Sequence, residues 1–248
     1  MTTDSQTSEP LSRTTRLLGV DAMQRLAAIR VILFGVGGVG SWCAEALVRS
    51  GVGHLTMVDP DVVDVSNTNR QLPALVSTVG RPKVEVLCER LLDINPEADI
   101  VARRERFTAE TAEDFAIEDY DYVIDAIDSL ADKMELILST THYQQPTLFS
   151  SMGAARKMDP MQVRVSEFWR VDGCPLAAAL RKRMRRAQRF PERKFQCVWS
   201  PERWQANTGS SGGRLPEPQP GGTLVTVTAS FGLMLASLVI RHAASQAS

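Results

Sequence analysis

Short apolar runs alternate with amphipathic stretches between residues 21 and 150 of this chain. Apolar runs of strand length lie at 30–34, 54–58, 98–102, 121–125 and 146–150. Helical periodicity lies at 21–29 and at 82–95, and one face of the second helix carries Val84, Leu87, Leu91 and Ile94. Strands that alternate with helices predict an α/β fold with a doubly wound, mostly parallel, Rossmann-like sheet.

The pattern changes after Gly153. Residues 162–168 alternate apolar and polar side chains with a period of two, which predicts an antiparallel C-terminal extension with one face in water. The run at 195–199 predicts one more strand. Residues 200–222 are rich in Pro, Gly and Ser, and we expect them to form a mobile loop.

The first predicted strand leads directly into a G-x-G-G-x-G turn at 35–40. Gly35 allows the tight turn, whereas Gly37 and Gly38 omit the Cβ atoms that would keep a ligand from the backbone. Gly40 lets the next helix lie close to the strand, and the N-terminus of that helix then faces an anion. A tight turn without a ligand would carry the same glycines, so the neighbouring residues decide between the two interpretations.

Acidic and amide side chains follow the second strand. Asp59 directly follows the run at 54–58. Its separation in sequence from the glycine turn is the one at which such folds carry an acid that binds a ribose hydroxyl. The stretch that continues to Gln71 is dense in carboxylates and amides and contains one arginine. Together with the turn, these residues predict a nucleotide site, whose further candidate contacts are Asp61, Asn69, Arg70 and Gln71.

Two charged residues near predicted helix starts indicate phosphates and a metal ion. Lys83 lies in the first turn of the helix at 82–95, where the helix dipole favours anions. A phosphate within reach would explain a cation at this end of the helix. The alternative is that Lys83 lies at a solvated helix start. Asp128 follows the strand at 121–125 and is a candidate Mg²⁺ ligand, since Mg²⁺ bound with nucleotide phosphates takes one or two carboxylates. The alternative for Asp128 is an N-cap role.

Net charge is −1, which predicts no overall attraction to nucleic acid, but the charge is uneven. Eight Lys and Arg and one Glu lie in 181–194. Helical spacing of the apolar residues predicts that one face packs on the body, through Leu176, Leu180, Met184 and Ala187. The rest of this helix is either a solvated face or a phosphate-binding surface, with the candidates Lys182, Arg185, Arg186 and Arg189.

The four cysteines form no C-x-x-C pair, so we expect no structural zinc. Cys43 and Cys88 fall in helical apolar patterns and are expected to be buried. Cys174 precedes Pro175 in a loop beside the proposed site, but a catalytic role is disfavoured because a reactive thiol needs a lowered pKa. Cys197 lies in a predicted strand.

These motifs resemble, in order and spacing, the adenylating fold of ubiquitin-activating-like enzymes, the ThiF/MoeB/HesA superfamily. The resemblance rests on the glycine turn, Asp59, S-N-T-N-R-Q at 66–71, G-R-P-K at 80–83 and D-A-I-D at 125–128. It implies ATP as the nucleotide.

Further motifs resemble the tRNA threonylcarbamoyladenosine dehydratases within that superfamily. They are S-R at 12–13 with L-L-G at 17–19, S-M-G-A at 151–154 with M-D-P at 158–160, and C-P-L-A at 174–177 before the basic helix. The likeness covers about residues 11–199 well and 223–243 loosely. It implies one adenylating domain over 11–248, with a nucleotide-binding core at 21–153 and substrate and dimer elements at 154–248.

The resemblance implies roles for these residues. The glycine turn and Asp59 would hold adenosine and ribose, Asp128 would carry Mg²⁺, and Arg13 would cross a homodimer interface to the partner's ATP. The triphosphate would be surrounded by Asn69, Arg70, Gln71 and Lys83. The implied reaction adenylates the carboxylate of the threonylcarbamoyl group on a tRNA adenosine. The modification then closes a ring on itself, and AMP and pyrophosphate leave.

Residues near the two ends of the chain bear on where the protein is located and on its partners. Residues 1–10 are polar and lack a signal-peptide pattern, so we expect a disordered tail and a cytoplasmic protein. Residues 224–240 carry no charge but are shorter than the usual ~20-residue membrane span. The family has a buried, dimer-facing helix there, so no membrane association is expected. Some members carry a cysteine before this helix. This chain has G-G-T-L-V at 221–225 instead, so a sulfur-transfer partner is doubtful.

Two other classes stay open. An adenylyltransferase for a ubiquitin-like sulfur-carrier protein would share the adenylating core, but the missing cysteine pairs and the basic helix count against it. An NAD-dependent dehydrogenase would share the glycine turn and the acid on the ribose. It would leave Arg70, Lys83 and Asp128 without a common purpose.

Overall fold

One seven-stranded sheet organises residues 10–203 and 221–246, which are the residues that the computed structural model describes. The strands are β1 (Arg30–Phe34), β2 (His54–Val58), β3 (Asp99–Arg103), β4 (Tyr122–Asp125), β5 (Thr147–Ser151), β6 (Arg164–Glu167) and β7 (Gln196–Trp199). Their order is β3-β2-β1-β4-β5-β7-β6, and among these described strands all neighbours are parallel except β6 and β7. The predicted fold class is confirmed, with β6 as the antiparallel extension.

Among the described residues, an α-helix follows each of the strands β1, β2, β4, β6 and β7, whereas only short 3₁₀ turns join β3 to β4 and β5 to β6. The α-helices are α1 (Ser12–Leu18), α2 (Val20–Ala28), α3 (Gly40–Arg49), α4 (Lys83–Ile94), α5 (Leu130–His142), α6 (Pro175–Ala187) and α7 (Val225–Ser245). Short 3₁₀ turns lie at Val65–Asn67, Val76–Thr78, Ala112–Phe115, Ile117–Asp119, Pro160–Gln162 and Phe168–Arg170. β1 and β2 have the predicted bounds, while β3, β4 and β5 begin one residue later than predicted.

The strand order reverses at β1, which pairs with β2 on one side and with β4 on the other. In this register Phe34 lies beside both Val58 and Asp125, so the carboxyl ends of three strands meet at one place. Ligands of open α/β sheets bind in the crevice at such a reversal. The glycine turn after β1 and the loop 126–129 after β4 flank this crevice.

Both faces of the sheet are covered by helices. Val31 and Leu33 pack in one apolar cluster with α3, α4 and α7, whereas Ile32 and Phe34 pack in a second cluster with α5 and α6. A parallel sheet between two helix layers requires apolar residues on both faces of its strands, as β1 has.

Helix α7 is long and apolar enough, by length and composition, to cross a membrane. Its residues Val227, Phe231, Leu235 and Val239 are nevertheless fully buried in the first cluster. At Gly232 a Cβ atom would lie 2.3 Å from the carbonyl oxygen of Val39, so glycine lets α7 approach α3 closely. The predicted helix over 224–240 is present from Val225 to Ser245, with one face buried, whereas Leu233 of this helix is exposed.

Two predictions fall largely outside the described residues. Apart from Pro10, the predicted disordered tail at 1–10 lies outside them, and so do residues 204–220 of the predicted mobile loop. The division into a core at 21–153 and further elements at 154–248 stays a prediction.

Candidate nucleotide site

A crevice of about 610 Å³ opens at the carboxyl ends of β1, β2 and β4. It brings together most of the predicted site residues, namely Gly35, Gly37, Gly38, Asp59, Asp61, Arg70, Gln71, Lys83 and Asp128. Gly40 and Asn69 are not part of its lining. Residues that lie far apart in the sequence therefore share one site, as the strand order requires.

The glycine turn leaves backbone N–H groups free at the start of α3. Gly35 has a φ of +88°, which favours glycine, and a Cβ atom there would lie 2.7 Å from the carbonyl oxygen of Ala126. A Cβ atom at Gly40 would lie 1.8 Å from the carbonyl oxygen of Gly35. The N–H groups of Gly37 and Gly38 have no hydrogen-bond partner in the described part of the chain. They are available to an anion.

Asp59 is buried and connects two segments of the crevice wall. Its Oδ2 accepts a hydrogen bond from the N–H of Val36 at 2.8 Å, and its Oδ1 accepts one from the N–H of Asp61 at 2.9 Å. Burial raises the pKa of Asp59, against the lowering effect of these hydrogen bonds and of Lys83. Each carboxylate oxygen keeps a second lone pair, so both can still accept a hydroxyl.

Lys83 begins α4 and is only 5% exposed. Its Nζ forms an ion pair with Oδ2 of Asp61 at 2.8 Å. The alternative of a solvated helix start is wrong, because the side chain is buried in the crevice wall. An ammonium group has three donors, and two of those of Lys83 remain for a ligand.

The segment after Asp61 is attached to α3 and to the residues just before α7. The indole N–H of Trp42 on α3 donates to the carbonyl oxygen of Arg70 at 3.0 Å, and Nδ2 of Asn69 donates to the carbonyl oxygen of Thr223 at 3.0 Å. Nη1 of Arg70 donates to Oδ1 of Asn69 at 2.8 Å. Asn69 therefore orients Arg70 rather than lining the crevice itself.

Gln71 has a polar atom without a partner. Its side chain is buried, yet within residues 10–203 and 221–246 its Oε1 accepts no hydrogen bond. Leaving a buried polar group unsatisfied costs about 1–3 kcal/mol. A hydrogen-bond donor on a bound molecule would satisfy this oxygen, which supports Gln71 as a ligand contact.

The last residue of β4 and the loop after it each carry an aspartate, and the two aspartates have different roles. Asp128 is exposed and lines the crevice, whereas Asp125 is fully buried and forms an ion pair with Lys133 at 2.8 Å. The N-cap alternative for Asp128 is wrong, since Ser129 occupies that position of α5.

Asp128 fits a Mg²⁺ ion that is bound together with nucleotide phosphates. Residues 10–203 and 221–246 contain no group of three His, Cys, Asp or Glu side chains that could hold a metal. An ion that shares phosphate oxygens takes only one or two carboxylates and keeps several waters. One carboxylate at the crevice meets this requirement.

Three charged residues of the crevice have no counterpart among the sequence predictions, namely Glu105, Arg106 and Asp132. Arg106, which follows β3, donates from Nε and Nη2 to Oδ2 of Asp132 on α5, at 2.9 and 2.8 Å. Arg106 was predictable in principle, because the carboxyl ends of parallel strands carry ligand contacts. Asp132 gave no signal, since only the packing of α5 brings its first turn to the crevice.

One wall of the crevice is apolar. It is formed by Phe34, Val58, Phe107 and Ile127. The rings of Phe34 and Phe107 pack edge to face, with centroids 5.1 Å apart. A wall of this kind suits the flat face of an aromatic base.

The basic helix α6 begins at the crevice with Leu176. Leu180 and Met184 are buried as predicted, but Ala187 is exposed because the helix ends there. A groove of about 580 Å³ lies between this helix and the start of α5. Its lining is Leu130, Ala179, Lys182, Arg183, Arg186 and Ala187.

The cations of this region fall into two groups. Arg189 forms a bidentate pair with Glu135, at 2.7 and 2.8 Å, and Arg181 donates to the carbonyl oxygens of Phe168 and Val171. On α6, the cationic side chains that form neither an ion pair nor a hydrogen bond with a described residue are Lys182, Arg183, Arg185 and Arg186. Arg189, one of the predicted phosphate contacts, is thus held by protein.

Arg13 and the cysteines lie outside the crevice. Arg13 is exposed on α1 and does not line the crevice of its own chain. Cys43 is buried as expected and Cys197 lies in a strand as expected, where it is also buried. Burial raises the pKa of both thiols. Cys88 is only partly buried, contrary to prediction. Cys174 lies in the loop before α6, as predicted, where it is the N-cap residue and is buried.

Comparisons with known proteins match this fold and site. The ThiF family model covers residues 11–247. The tRNA threonylcarbamoyladenosine dehydratase of Bacillus subtilis is 43% identical over 71% of this chain and 68% of its own. The tRNA threonylcarbamoyladenosine dehydratase of Haemophilus influenzae is 36% identical over 91% of this chain and 89% of its own. The Escherichia coli tRNA N6-threonylcarbamoyladenosine dehydratase, whose crystal structure was solved in complex with ATP, is 34% identical in sequence. Its structure matches this one with a TM-score of 0.83, over 94% of this chain and 93% of the E. coli chain.

The chain belongs to the ThiF family, which confirms the superfamily resemblance seen in its motifs. Within that family it belongs with the tRNA threonylcarbamoyladenosine dehydratases, because its similarity to them extends over most of both chains.

Proposed function

We propose that the protein cyclises N6-threonylcarbamoyladenosine in tRNA, by adenylating the carboxylate of the modification with ATP. The observation that carries the proposal is the crevice at the sheet's reversal, where free N–H groups converge with Arg70, Lys83 and Asp128. Relatives that match most of this chain are named tRNA threonylcarbamoyladenosine dehydratases, and the crystal structure of the E. coli relative was solved in complex with ATP.

ATP would occupy the whole crevice. The adenine base would pack on the apolar wall, and the ribose hydroxyls would donate to Asp59. The triphosphate would lie along the free N–H groups of the glycine turn, within reach of Lys83 and Arg70. Asp61 supports Lys83 through their ion pair, and Asn69 supports Arg70.

The first chemical step joins two anions, the substrate carboxylate and the α-phosphate. An oxygen–phosphorus bond forms, and the bond to pyrophosphate breaks. Arg70 and Lys83 lower the barrier because they are already placed around the developing charge. Mg²⁺ held by Asp128 would supply further positive charge at the phosphates.

The second step needs no nucleophile from the protein. A nitrogen or oxygen of the same modification attacks the activated acyl carbon, the ring closes, and AMP leaves with the original carboxylate oxygen. Holding the acyl-adenylate in a bent conformation in the crevice would supply much of the rate enhancement. The lack of an activated cysteine in the crevice lining agrees with this scheme.

A homodimer is part of the proposal. Arg13 lies on α1, a helix without buried residues, and does not reach the crevice of its own chain. It would complete the cationic set by reaching the ATP of the partner subunit, as the motif resemblance implies. The dimer would then be the catalytic unit.

The tRNA would lie across α6 and the crevice mouth. The exposed cations Lys182, Arg183, Arg185 and Arg186 offer phosphate contacts, since none of them forms an ion pair with residues 10–203 or 221–246, and α6 begins at the crevice. Arg189 is a weaker candidate because Glu135 holds it. Basic side chains on one face are the usual footprint of a nucleic-acid backbone.

A cytoplasmic location completes the proposal. It is supported by the tRNA-modifying relatives and by four cysteines that are all free thiols. The sulfur-transfer partner stays doubtful, because the residues at 221–225 contain no cysteine.

The decisive experiment is mass spectrometry of tRNA nucleosides after incubation with the protein, ATP and Mg²⁺. We expect N6-threonylcarbamoyladenosine to lose the mass of one water, with AMP and pyrophosphate formed in equal amounts. Omitting ATP, or using tRNA that lacks the modification, serves as the control. An unchanged nucleoside would overturn the proposal.

The same material separates the other two classes. A carrier-protein adenylyltransferase would exchange pyrophosphate into ATP with a small carrier protein and without tRNA. A dehydrogenase would transfer hydride to NAD and exchange no pyrophosphate.

A further inference from the structure

The loop that presents Asp128 is held from behind by a fully buried ion pair. Asp125 and Lys133 are both 0% exposed, and Nζ of Lys133 lies 2.8 Å from Oδ2 of Asp125. The same Nζ donates to the carbonyl oxygen of Ile127 at 3.0 Å, and Oδ1 of Asp125 accepts from the N–H of Ile127 at 3.1 Å. The pair therefore binds both backbone polar groups of the residue before Asp128.

The loop is also fixed on its other side. The N–H of Ala126 donates to the carbonyl oxygen of Phe34 at 2.9 Å, and the missing Cβ atom of Gly35 makes room for the carbonyl oxygen of Ala126. Ser150 on β5 donates to Oδ2 of Asp125 at 2.7 Å. The loop is thus clamped between the glycine turn and the buried pair.

A buried ion pair is by itself weak evidence for a stabilising role. Desolvating two ions is costly, and a neutral pair of similar volume is often equally or more stabilising. The charges do make the hydrogen bonds around them stronger than bonds between neutral groups. Neither Asp125 nor Lys133 lines the crevice, so neither touches a bound nucleotide directly.

We propose that Asp125 and Lys133 are positioning residues, which set the place of the Asp128 carboxylate relative to the glycine turn. The inference rests on the proposed function, in which Asp128 holds the metal that accompanies ATP. Groups that orient a metal ligand typically change metal affinity or activity about 10–100-fold when they are replaced.

The test is the double variant Asp125→Asn/Lys133→Met, which removes both charges and preserves size. We expect it to fold, with a melting temperature above those of the two single variants, because each of these leaves one buried charge unpaired. The Mg²⁺ concentration for half-maximal pyrophosphate exchange should rise about 10-fold or more. Amide hydrogen exchange over residues 122–133, measured without ATP, should become faster.

Two comparisons keep the outcome interpretable. Arg81→Met/Glu89→Gln removes an exposed ion pair at α4 and should change neither the Mg²⁺ requirement nor exchange in the loop. Ser150→Ala keeps both charges and removes one hydrogen bond to Asp125. Ser150→Ala should raise the Mg²⁺ requirement and speed up amide exchange in the loop, as the double variant does, but by less. It replaces the double variant as the test if the double variant does not fold.

Wild-type Mg²⁺ dependence and wild-type loop exchange in the double variant would overturn the positioning role and leave a purely structural pair. If the double variant does not fold, the same two wild-type results for Ser150→Ala would overturn it. Asp128→Asn is measured in parallel. If that variant keeps full activity and normal Mg²⁺ dependence, the metal role within the proposed function fails, whatever the buried pair does.

Discussion

The charged side chains of the crevice and those of α6 are held in opposite ways. In the crevice, Asp59 and Lys83 are nearly buried, and each is fixed by a short hydrogen bond or ion pair. On α6, Lys182 and Arg186 are exposed, and they have no ion pair to any described residue. The two regions are adjacent, because α6 begins at the crevice wall.

This difference teaches what each region can do. Groups fixed before the substrate arrives stabilise a developing charge without reorganising, so each one has a large effect on rate. Exposed cations are mobile, and salt screens their charge. They therefore suit a long, charged partner such as a nucleic acid, whose binding energy is divided among many weak contacts. The following predictions test this contrast, from the largest expected effect to the smallest.

Asp128→Ala should have the largest effect. It removes the candidate metal ligand from the crevice, and losing one electrostatic element of this kind typically costs a factor of about 10²–10³ in rate. The measurement is pyrophosphate exchange against Mg²⁺ concentration, with Asp93→Ala, an exposed aspartate on α4, as the matched control. Full activity with normal metal dependence would remove Asp128 from the mechanism.

Mixing Arg13→Ala with Asp128→Ala should restore part of the activity that each variant lacks alone. If Arg13 serves the partner's site, half of the dimers in an equal mixture carry one intact site, which gives about a quarter of the wild-type rate. The measurement is AMP release after subunit exchange, verified by mass-tagged chains. Complete exchange without recovery would argue against a site shared between subunits.

Replacing Lys182, Arg185 and Arg186 together by Ala should weaken tRNA binding and leave ATP binding unchanged. Each lost phosphate contact flattens the fall of log affinity with log salt by about 0.7–0.9, so the slope should change by up to about 2–3 units. Binding titrations at several salt concentrations measure it. An unchanged slope and affinity would identify α6 as a solvated face.

Arg189→Ala should have the smallest effect. Its partner Glu135 holds it in an ion pair whose arginine is 53% exposed, and exposed pairs contribute about 0.2–1 kcal/mol. We expect the melting temperature to fall by less than about 4 °C and tRNA affinity to stay near the wild-type value. A loss of affinity as large as that of the triple variant would return Arg189 to the tRNA surface.

Local pattern was sufficient for most of the fold. The bounds of β1 and β2, the helix at 82–95 and the antiparallel extension follow from apolar periodicity alone, because each strand and helix must bury one or both faces. The glycine turn was equally legible, since only glycine fits at Gly35 and Gly40. Cys88 was misjudged because periodicity assigns a face to a residue but not how completely that face is covered.

Tertiary structure decided which charged residues act together. The sequence determined that Asp125 and Asp128 follow one strand, but only packing against Ser150 and Lys133 buried one of them and left the other in the crevice. Packing also paired Arg106 with Asp132 and withdrew Arg189 to Glu135. A sequence pattern reports local backbone requirements, whereas burial and pairing of a charge depend on residues brought near by distant parts of the chain.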